Sequence, residues 1–269
     1  MILIGDSGST KTDWRLIDGD DIRILQCQGL NPNTSSDELV LDSVSALLLD
    51  FKSIKKVYFF GSGCGSESNQ NRMASLFSSL FFYADIHIYS DMLGACLATK
   101  GTEKGLVAIL GTGSNICYYD GEKTVRKSRS LGYLLGDEGG GSYLGKLFLT
   151  HYLNGNLATE ISDKMKKSPS QIIEDLYSST SPNRYMASFC PFIFRNRSHP
   201  QISALICENF KLFFEKYAMQ FPEREISFCG SIAYYFHAEL KHVANQLDFQ
   251  LSLVLEKPIA AITLFYKID

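Results

Sequence analysis

The residue types best suited to phosphate chemistry stand at the start of the chain. Asp6 ends an apolar run, the small residues Ser7–Ser9 follow it, and then come Thr10 and Lys11. Small residues let backbone N–H groups approach a ligand closely, and a carboxylate at the end of a strand can hold a hydrated metal ion. The stretch therefore predicts a phosphate-binding turn between two strands. An ordinary Gly/Ser hairpin turn explains the same residues, and the stretch alone leaves both interpretations open.

Two common nucleotide-binding motifs do not fit this stretch. A P-loop needs a glycine directly before its lysine, where this chain has Thr10, and a helix behind it. Trp14 and Leu16 instead continue an alternating pattern that is typical of a strand, and Trp14 is expected to be a packing residue. A Rossmann fingerprint also opens a helix. The predicted site is therefore a β-hairpin turn.

A similar arrangement of strand, small-residue turn and strand occurs in the second half of the chain. Leu106–Leu110 predicts a buried strand, the small-residue turn Gly111–Ser114 follows, and Asn115–Tyr119 predicts the next strand. A strand, small-residue turn and strand at the start of each half indicate an internal duplication. Two such hairpins suggest two lobes that close on one nucleotide, although Thr112 to Ser114 could also be a plain hairpin turn.

Four other polar residues stand where they could face a ligand. Asp91 follows the predicted strand Ile86–Tyr89 and opens a helix, where local sequence alone favours an N-cap. Asp137 and Glu138 lie in a Gly-Asp-Glu-Gly turn, for which a solvated turn is the alternative. Asn33 follows Pro32 in a loop and could be a plain turn residue.

The elements around these residues form a repeated pattern. The first lobe reads as three strands of a meander followed by helix, strand, helix, strand, helix. A polar linker at Lys100–Lys104 predicts a boundary, with an N-terminal lobe at 1–102 and a C-terminal lobe at 103–256. A last helix at 257–269 is expected to pack back near the first lobe. The predicted helices cover about 37–50, 69–82, 143–152, 157–165, 170–177, 183–194, 200–219 and 232–243. The apolar stripe of the helix at 200–219 is expected in the core or in a dimer contact.

Composition excludes several classes of protein. The chain has 269 residues, 45% hydrophobic and 20% charged, which suits a globular protein with a real core. A net charge of −3 indicates no bulk attraction to nucleic acid or to an anionic membrane. Seven scattered cysteines without C-x-x-C spacing argue against a zinc site, an iron–sulfur cluster or a disulfide framework. No signal peptide or membrane span is expected, so the predicted location is the cytoplasm.

A strand followed by Gly230-Ser231 and a helix is the fifth motif of the chain. The other four are the first hairpin, Asp91 at a strand end, the Gly111–Ser114 hairpin and the Gly-Asp-Glu-Gly turn. Taken in chain order, these five motifs resemble those of the actin/hexokinase/Hsp70-type ATPases. Within that superfamily the chain looks like the BadF/BadG-type group that includes N-acetylglucosamine kinase. The resemblance covers nearly the whole chain and implies an α/β, two-lobed actin-like ATPase (ribonuclease H-like) fold with a duplicated βββαβαβα core. It also implies an ATP-dependent amino-sugar kinase that uses Mg²⁺, with a small sugar as substrate and a homodimer as the expected assembly.

The resemblance carries roles onto individual residues. Asp6 would hold Mg²⁺ through water, and Asp91 would be the base that accepts the proton of the sugar hydroxyl. The positions implied for ATP are Ser9, Thr10, Lys11, Gly111, Thr112, Gly113, Gly230 and Ser231. The positions implied for the sugar are Asn33, Asp91, Thr112, Asn115, Ser130 and Asp137.

The chain departs from its relatives at several of these motifs. Ser7 and Ser9 replace two of three consecutive glycines, and Gly140 stands where a serine is common. Leu131 lies near the position of a tryptophan in the animal sugar kinase. The acceptor therefore stays open among N-acetylglucosamine, N-acetylmuramate, glucosamine and other hexosamines. An ATPase that activates a partner enzyme and a non-catalytic sugar-binding regulator are the alternatives outside the kinase class.

Overall fold

The computed structural model describes residues 1–47 and 51–268 of the chain. The described chain forms two compact units. The first unit comprises Met1–Glu103, Gly121–Thr124 and Lys257–Asp269, and the second comprises Lys104–Asp120 and Val125–Glu256.

Each unit contains one five-stranded sheet. The strands are β1 (Ile2–Ser7), β2 (Lys11–Asp18), β3 (Asp21–Gln28), β4 (Lys56–Gly61), β5 (Asp85–Ser90), β6 (Gly105–Leu110), β7 (Ser114–Tyr119), β8 (Thr124–Lys127), β9 (Glu225–Cys229) and β10 (Gln250–Leu255). The spatial order is β3-β2-β1-β4-β5 in the first sheet and β10-β9-β6-β7-β8 in the second. Read from the opposite edge, the second sheet has the same order of strands as the first, with β6, β7 and β8 in the places of β1, β2 and β3. The predicted duplication is therefore confirmed at the level of sheet topology.

The helices differ from the predicted ones mainly at their ends. They are α1 (Asp37–Ser45), α2 (Glu67–Leu80), α3 (Asp91–Lys100), α4 (Gly132–Leu135), α5 (Gly141–Leu153), α6 (Thr159–Ser162), α7 (Pro169–Ser178), α8 (Pro182–Ala187), α9 (Cys190–Arg195), α10 (Pro200–Lys216), α11 (Ser231–Tyr235), α12 (His237–Gln246) and α13 (Ile259–Ile268). The first predicted helix, 37–50, ends in the structure at Ser45, and its last three positions lie outside the described residues. Among the described residues no helix is long and apolar enough to cross a bilayer.

Three predicted helices were wrong in extent. The segment 183–194 is two helices, because Pro191, in the first turn of the second one, cannot donate a backbone N–H to the preceding turn. The segment 232–243 is also two helices, which meet at Phe236. The helix predicted at 157–165 is a single turn, α6.

The first sheet places the ends of three strands at one level. β1, β4 and β5 are parallel, and Ser7, Gly61 and Ser90 are neighbours in register. Asp6 lies one residue before this level on β1, and Asp91 directly follows the last residue of β5. Two carboxylates that are far apart in the sequence therefore share the carboxyl edge of one sheet.

A separate core supports each unit. In the first unit Trp14 is completely buried and packs against Phe59 and Phe77, which confirms the predicted packing role of this tryptophan. Gly5 is required beside it, because a Cβ there would lie 2.5 Å from the indole ring. In the second unit, α10 buries the apolar stripe predicted at 200–219, including Phe210 and Phe213, against β9 and α5.

Candidate functional site

The first hairpin turn is held by backbone hydrogen bonds and has an exposed tip. Gly8 N donates to the Lys11 carbonyl at 3.1 Å, and Gly29 N donates to the Thr10 carbonyl at 3.0 Å. Gly29 must be a glycine because a Cβ there would lie 2.6 Å from the Gly8 carbonyl oxygen. Gly8, Thr10 and Lys11 are exposed. The turn therefore offers backbone and side-chain donors to solvent from a fixed base.

Two hydroxyls of the same stretch hold the hairpin itself. Ser7 and Thr12 are fully buried, and their Oγ and Oγ1 atoms lie 2.8 Å apart. Thr12 Oγ1 donates to the Gln28 carbonyl, and Ser7 Oγ accepts from Leu30 N. Both hydroxyls are thus engaged inside the protein. The serine that replaces a glycine of the relatives at position 7 stabilises the turn.

Asp6 and Asp91 form a pair of repelling carboxyl groups. Burial raises the pKa of Asp6 to about 7, and the negative charge of Asp91 contributes to the same shift. Burial also raises the pKa of Asp91, although hydrogen bonds from Met92 N and the Ser62 side chain oppose this. A cation placed near the pair would relieve their repulsion, and a base with a raised pKa accepts a proton readily.

Asp91 is not the N-cap of its helix. Ser90 caps α3 by accepting from Leu93 N at 3.3 Å. Asp91 is the first helical residue, and its Oδ1 accepts from Met92 N at 2.9 Å. The interpretation that Asp91 only caps the helix is therefore wrong, because a neighbour already fills that role.

The residues of the first unit fit a magnesium ion that arrives with a nucleotide. No cluster of three or more His, Cys, Asp or Glu side chains within 1–47 and 51–268 could hold a metal by itself. Mg²⁺ in nucleotide enzymes usually takes one or two carboxylates, with waters and substrate phosphates as the other ligands. Asp6 supplies one such carboxylate, so this residue matches that donor set.

A third carboxylate next to Asp6 is already paired with a cation. Asp13 is the register partner of Asp6 on β2 and is buried, and Lys257 Nζ lies 3.0 Å from its Oδ2. Burial acts to raise the pKa of Asp13, but the hydrogen bonds from Lys257 and Gln26 outweigh it and lower the pKa. Asp13 is thus a fixed anion with its own partners.

The loop that carries Asn33 is held by side chains of α2. Asn33 Oδ1 accepts from Asn69 Nδ2 at 2.8 Å, and Arg72 donates to the carbonyls of Pro32 and Ser35. Asn33 itself is exposed. A contact of Asn33 with a sugar stays a prediction. Neither Asn69 nor Arg72 shows a signal in the local sequence, because the bonds span more than thirty positions.

The second hairpin turn is fixed to the start of α5. Gly141 N donates to the Gly111 carbonyl and Ser142 N to the Thr112 carbonyl, both at 2.8 Å. Gly140 lies so close that a Cβ there would be 2.6 Å from the Gly113 backbone. The glycine that replaces a common serine at position 140 is therefore required by this contact.

Asp137 is held in an unusual backbone conformation beside this turn. Its φ is +66°, in the left-handed region that a non-glycine residue seldom adopts. Its Oδ1 accepts from Ser114 N at 3.3 Å, and a Cβ at Gly113 would lie 2.8 Å from its Oδ2. Burial raises the pKa of Asp137, the Ser114 bond opposes this, and the charge of Glu138 adds to it.

Glu138 is not part of a solvated turn. The residue is 2% exposed, forms an ion pair with Lys216, and accepts from the Tyr217 hydroxyl at 2.5 Å. Burial acts to raise the pKa of Glu138, but the hydrogen bonds from Lys216 and Tyr217 outweigh it and lower the pKa. The end of α10 therefore anchors the turn that presents Asp137.

One small recess in the second unit brings several expected sugar positions together. Asn115, Ser130 and Asp137 all line it, whereas Thr112 does not. Tyr217 and Leu131 line it too, so the position that differs from the animal kinase faces the same space. The complete lining is Ser114, Asn115, Ile116, Ser128, Arg129, Ser130, Leu131, Asp137 and Tyr217.

The glycine of the expected adenosine motif has a structural reason of its own. Gly230 has a φ of +116°, and a Cβ there would lie 2.4 Å from the Leu110 carbonyl oxygen. Its N–H donates to Leu255 O at 2.9 Å. Ser231 follows it and is exposed at the start of α11. A contact of these two residues with a nucleoside stays a prediction.

Comparison with known proteins places the chain among sugar kinases. No protein-family profile and no curated protein sequence matches it. A solved structure described as a "putative N-acetylglucosamine kinase" from Porphyromonas gingivalis is 32% identical, with a TM-score of 0.92, and the match covers 100% of this chain and 99% of that one. A second protein with the same description, from Chromobacterium violaceum, is 17% identical with a TM-score of 0.75 and 98% coverage of both chains.

A more distant structure shares only the fold. It is a ROK family glucokinase from Streptomyces griseus in complex with glucose and AMPPNP, 12% identical with a TM-score of 0.60 over 100% of this chain and 98% of that one. These likenesses confirm the predicted α/β fold of the two-lobed actin-like ATPase class. Because the P. gingivalis relative is 32% identical over the full length of both chains, this protein belongs to the same family of actin-like sugar kinases.

Proposed function

We propose that this protein is an ATP-dependent amino-sugar kinase that converts N-acetylglucosamine to N-acetylglucosamine 6-phosphate. The observation that carries the proposal is the pair Asp6 and Asp91 at one edge of the first sheet. Burial gives both groups raised pKa values. Family membership and the recess that holds Asn115, Ser130 and Asp137 add support. Within the kinases we assign the chain to the BadF/BadG-type group.

Asp91 would act as the general base. Phosphoryl transfer needs a group that orients the acceptor hydroxyl and takes its proton. The hydrogen bonds from Met92 N and the Ser62 side chain fix the direction of the Asp91 carboxylate. The raised pKa would let Asp91 keep the proton as the hydroxyl oxygen becomes bonded to phosphorus.

The phosphates would be bound by backbone and side-chain donors. In the first unit these are the turn residues Ser9, Thr10 and Lys11. In the second unit they are Gly111–Gly113, and Gly230 with Ser231 would contact the adenosine. Asp6 would hold Mg²⁺ through water, and the ion, when bound, supplies positive charge against the phosphate oxygens.

The acceptor would be bound by amide, hydroxyl and carboxylate groups. Asn33 and Asp91 in the first unit and Asn115, Ser130 and Asp137 in the second unit all suit sugar hydroxyls, which both donate and accept. Leu131 lines the recess and is 45% exposed. N-acetylmuramate and glucosamine therefore remain as alternative acceptors to be compared directly.

A coupled assay of ADP release over a panel of hexosamines tests the function. We expect N-acetylglucosamine to raise the rate far above that with ATP alone, and Asp91→Asn to lower kcat by about 100-fold or more. Asp85→Asn, at the exposed start of β5, the strand that leads into Asp91, is the matched control and should keep full activity. The proposal fails if no sugar stimulates turnover, or if Asp91→Asn is as active as Asp85→Asn.

A further inference from the structure

A chain of amide hydrogen bonds determines which atom of Asn33 is already bonded within the protein. Asn69 Nδ2 lies 2.8 Å from the Gly63 carbonyl oxygen and 2.8 Å from Asn33 Oδ1. A backbone carbonyl can only accept, so the Gly63 oxygen fixes the Asn69 amide with its nitrogen toward the loop. The second N–H of that nitrogen then points to Asn33.

The orientation of Asn33 follows from that of Asn69. The amide group of Asn69 gives its two N–H bonds to two acceptors, so the atom of Asn33 that meets it must be the oxygen. Asn33 Oδ1 is thereby occupied inside the protein. None of the described hydrogen bonds uses Asn33 Nδ2, and the residue is exposed.

The backbone on both sides of this chain is held as well. Asn33 N donates to Asn31 Oδ1 at 2.9 Å. Gly63 has a φ of +87°, and a Cβ there would lie 2.2 Å from Asn31 Oδ1, so a side chain at this position would push the two loops apart. Because the backbone is held in place, rotation of the Asn33 amide by half a turn would put its NH2 group against the Asn69 NH2 group, and the hydrogen bond between them would be lost.

We propose that Asn69 is a positioning residue that makes Asn33 a hydrogen-bond donor to an oxygen of the sugar. This inference rests on the proposed function for the identity of the ligand. An N–H donor at this point forms a hydrogen bond with a sugar oxygen but not with a C–H group. It would therefore discriminate between a sugar and its deoxy analogue.

The test compares Asn69→Asp with Asn71→Asp. Both variants place the same new charge on α2, and Asn71 is exposed. A carboxylate at position 69, in the first turn of the helix, interacts favourably with the helix dipole. The variant should therefore still fold. The new carboxylate would repel the Gly63 carbonyl and Asn33 Oδ1, and the Asn33 amide would turn over to present its oxygen.

We expect Asn69→Asp to raise the KM for the sugar about tenfold, with the KM for ATP unchanged. Asn71→Asp should match the wild type. A purely structural role for Asn69 would instead lower the thermal stability and raise the KM values for sugar and ATP together. The proposal is overturned if Asn69→Asp and Asn71→Asp have the same KM for the sugar.

Fluorinated sugars read the direction of the hydrogen bond. Fluorine accepts weakly but cannot donate, so at one ring position the monofluoro sugar should bind wild type better than the monodeoxy sugar. In Asn69→Asp and in Asn33→Asp that difference should vanish, because neither variant presents an N–H there. Equal affinity for the fluoro and deoxy analogues at every position of the wild type would contradict the proposal.

A readout without sugar separates this inference from the proposed function. If the wild type binds no hexosamine at all, the proposed function fails, but the amide orientation can still be read. Neutron diffraction on deuterated crystals should find two deuterons on Asn69 Nδ2 directed to Gly63 O and Asn33 Oδ1. Deuterons of Asn33 directed to Asn69 would overturn the inference.

Discussion

Asp6 and Asp91 have the same side chain and lie at the same edge of a sheet, but they have different surroundings. Asp91 accepts hydrogen bonds from Met92 N and the Ser62 side chain, which stabilise its charged form. Burial is the largest influence on the pKa of both groups, but for Asp6 the charges of Asp91 and Asp13 act in the same direction as burial. Asp6 is therefore the carboxylate for which a bound cation matters most.

The raised pKa of Asp6 makes stability depend on pH in the absence of metal. The folded protein holds a proton on Asp6 up to a pKa of about 7, whereas the unfolded chain releases it near the ordinary value of 3.8. The folded state therefore binds more protons in this window, and its stability falls as the pH rises through it.

Asp6→Asn should remove this penalty. Without metal and nucleotide, we expect the thermal midpoint of the variant to exceed that of the wild type by about 3 °C or more at about pH 8, and by less at about pH 5. Asp18→Asn, at the exposed end of β2, is the control and should show no such difference. A gain that is equal at both pH values, or absent, would contradict the assignment.

At the scale of elements, α10 supports a turn that lies some seventy positions earlier in the chain. Asn209 accepts from Gly139 N at 2.9 Å, and the end of the helix supplies Lys216 and Tyr217 to Glu138. The preceding residue of the same turn, Asp137, faces the recess. One helix thus holds the turn that determines where this carboxylate lies.

Tyr217→Phe measures what the end of this helix contributes. The ring stays, but the buried carboxylate of Glu138 loses one donor, so we expect the free energy of unfolding to fall by about 1.5–3 kcal/mol. Tyr177→Phe, at a tyrosine that is 85% exposed on α7, should change it by less than about 0.5 kcal/mol. Urea unfolding followed by far-UV circular dichroism provides the measurement. Equal effects of the two substitutions would mean that ring packing alone holds the turn.

The sequence predicts the strands better than it predicts the side-chain contacts between elements that are distant in the chain. Alternating apolar residues and small-residue turns identify β1, β2, β6 and β7, and the strand ends locate Asp6 and Asp91. Asn69 and Tyr217 have no such pattern, since their partners lie 36 and 79 positions away. The glycines at positions 140 and 230 also have reasons that only the folded backbone reveals, because a Cβ at either would lie less than 3 Å from another segment.

At the scale of the whole molecule, the last helix belongs to the unit that begins the chain. α13 packs against α3 and the first two strands. Ile262 is fully buried in the same cluster as Ile4 and Phe60, and Lys267 lies 3.5 Å from Asp20. The first strands and the last helix therefore share one hydrophobic core. A substitution that destabilises the packing of the last helix should lower the stability of the first unit.

Ile262→Ala tests this arrangement with a reporter that the chain already contains. Trp14 is the only tryptophan of the sequence and is buried in the first unit, so its fluorescence follows the unfolding of that unit. Removal of a buried isoleucine side chain leaves a cavity and should lower the free energy of unfolding by about 2–5 kcal/mol. The fluorescence transition of the variant should therefore move to a lower urea concentration. Leu264→Ala, two positions along the same helix at a residue that is 59% exposed, should leave the transition in place. If both variants unfold like the wild type by fluorescence, the last helix does not contribute to the core around the first strands.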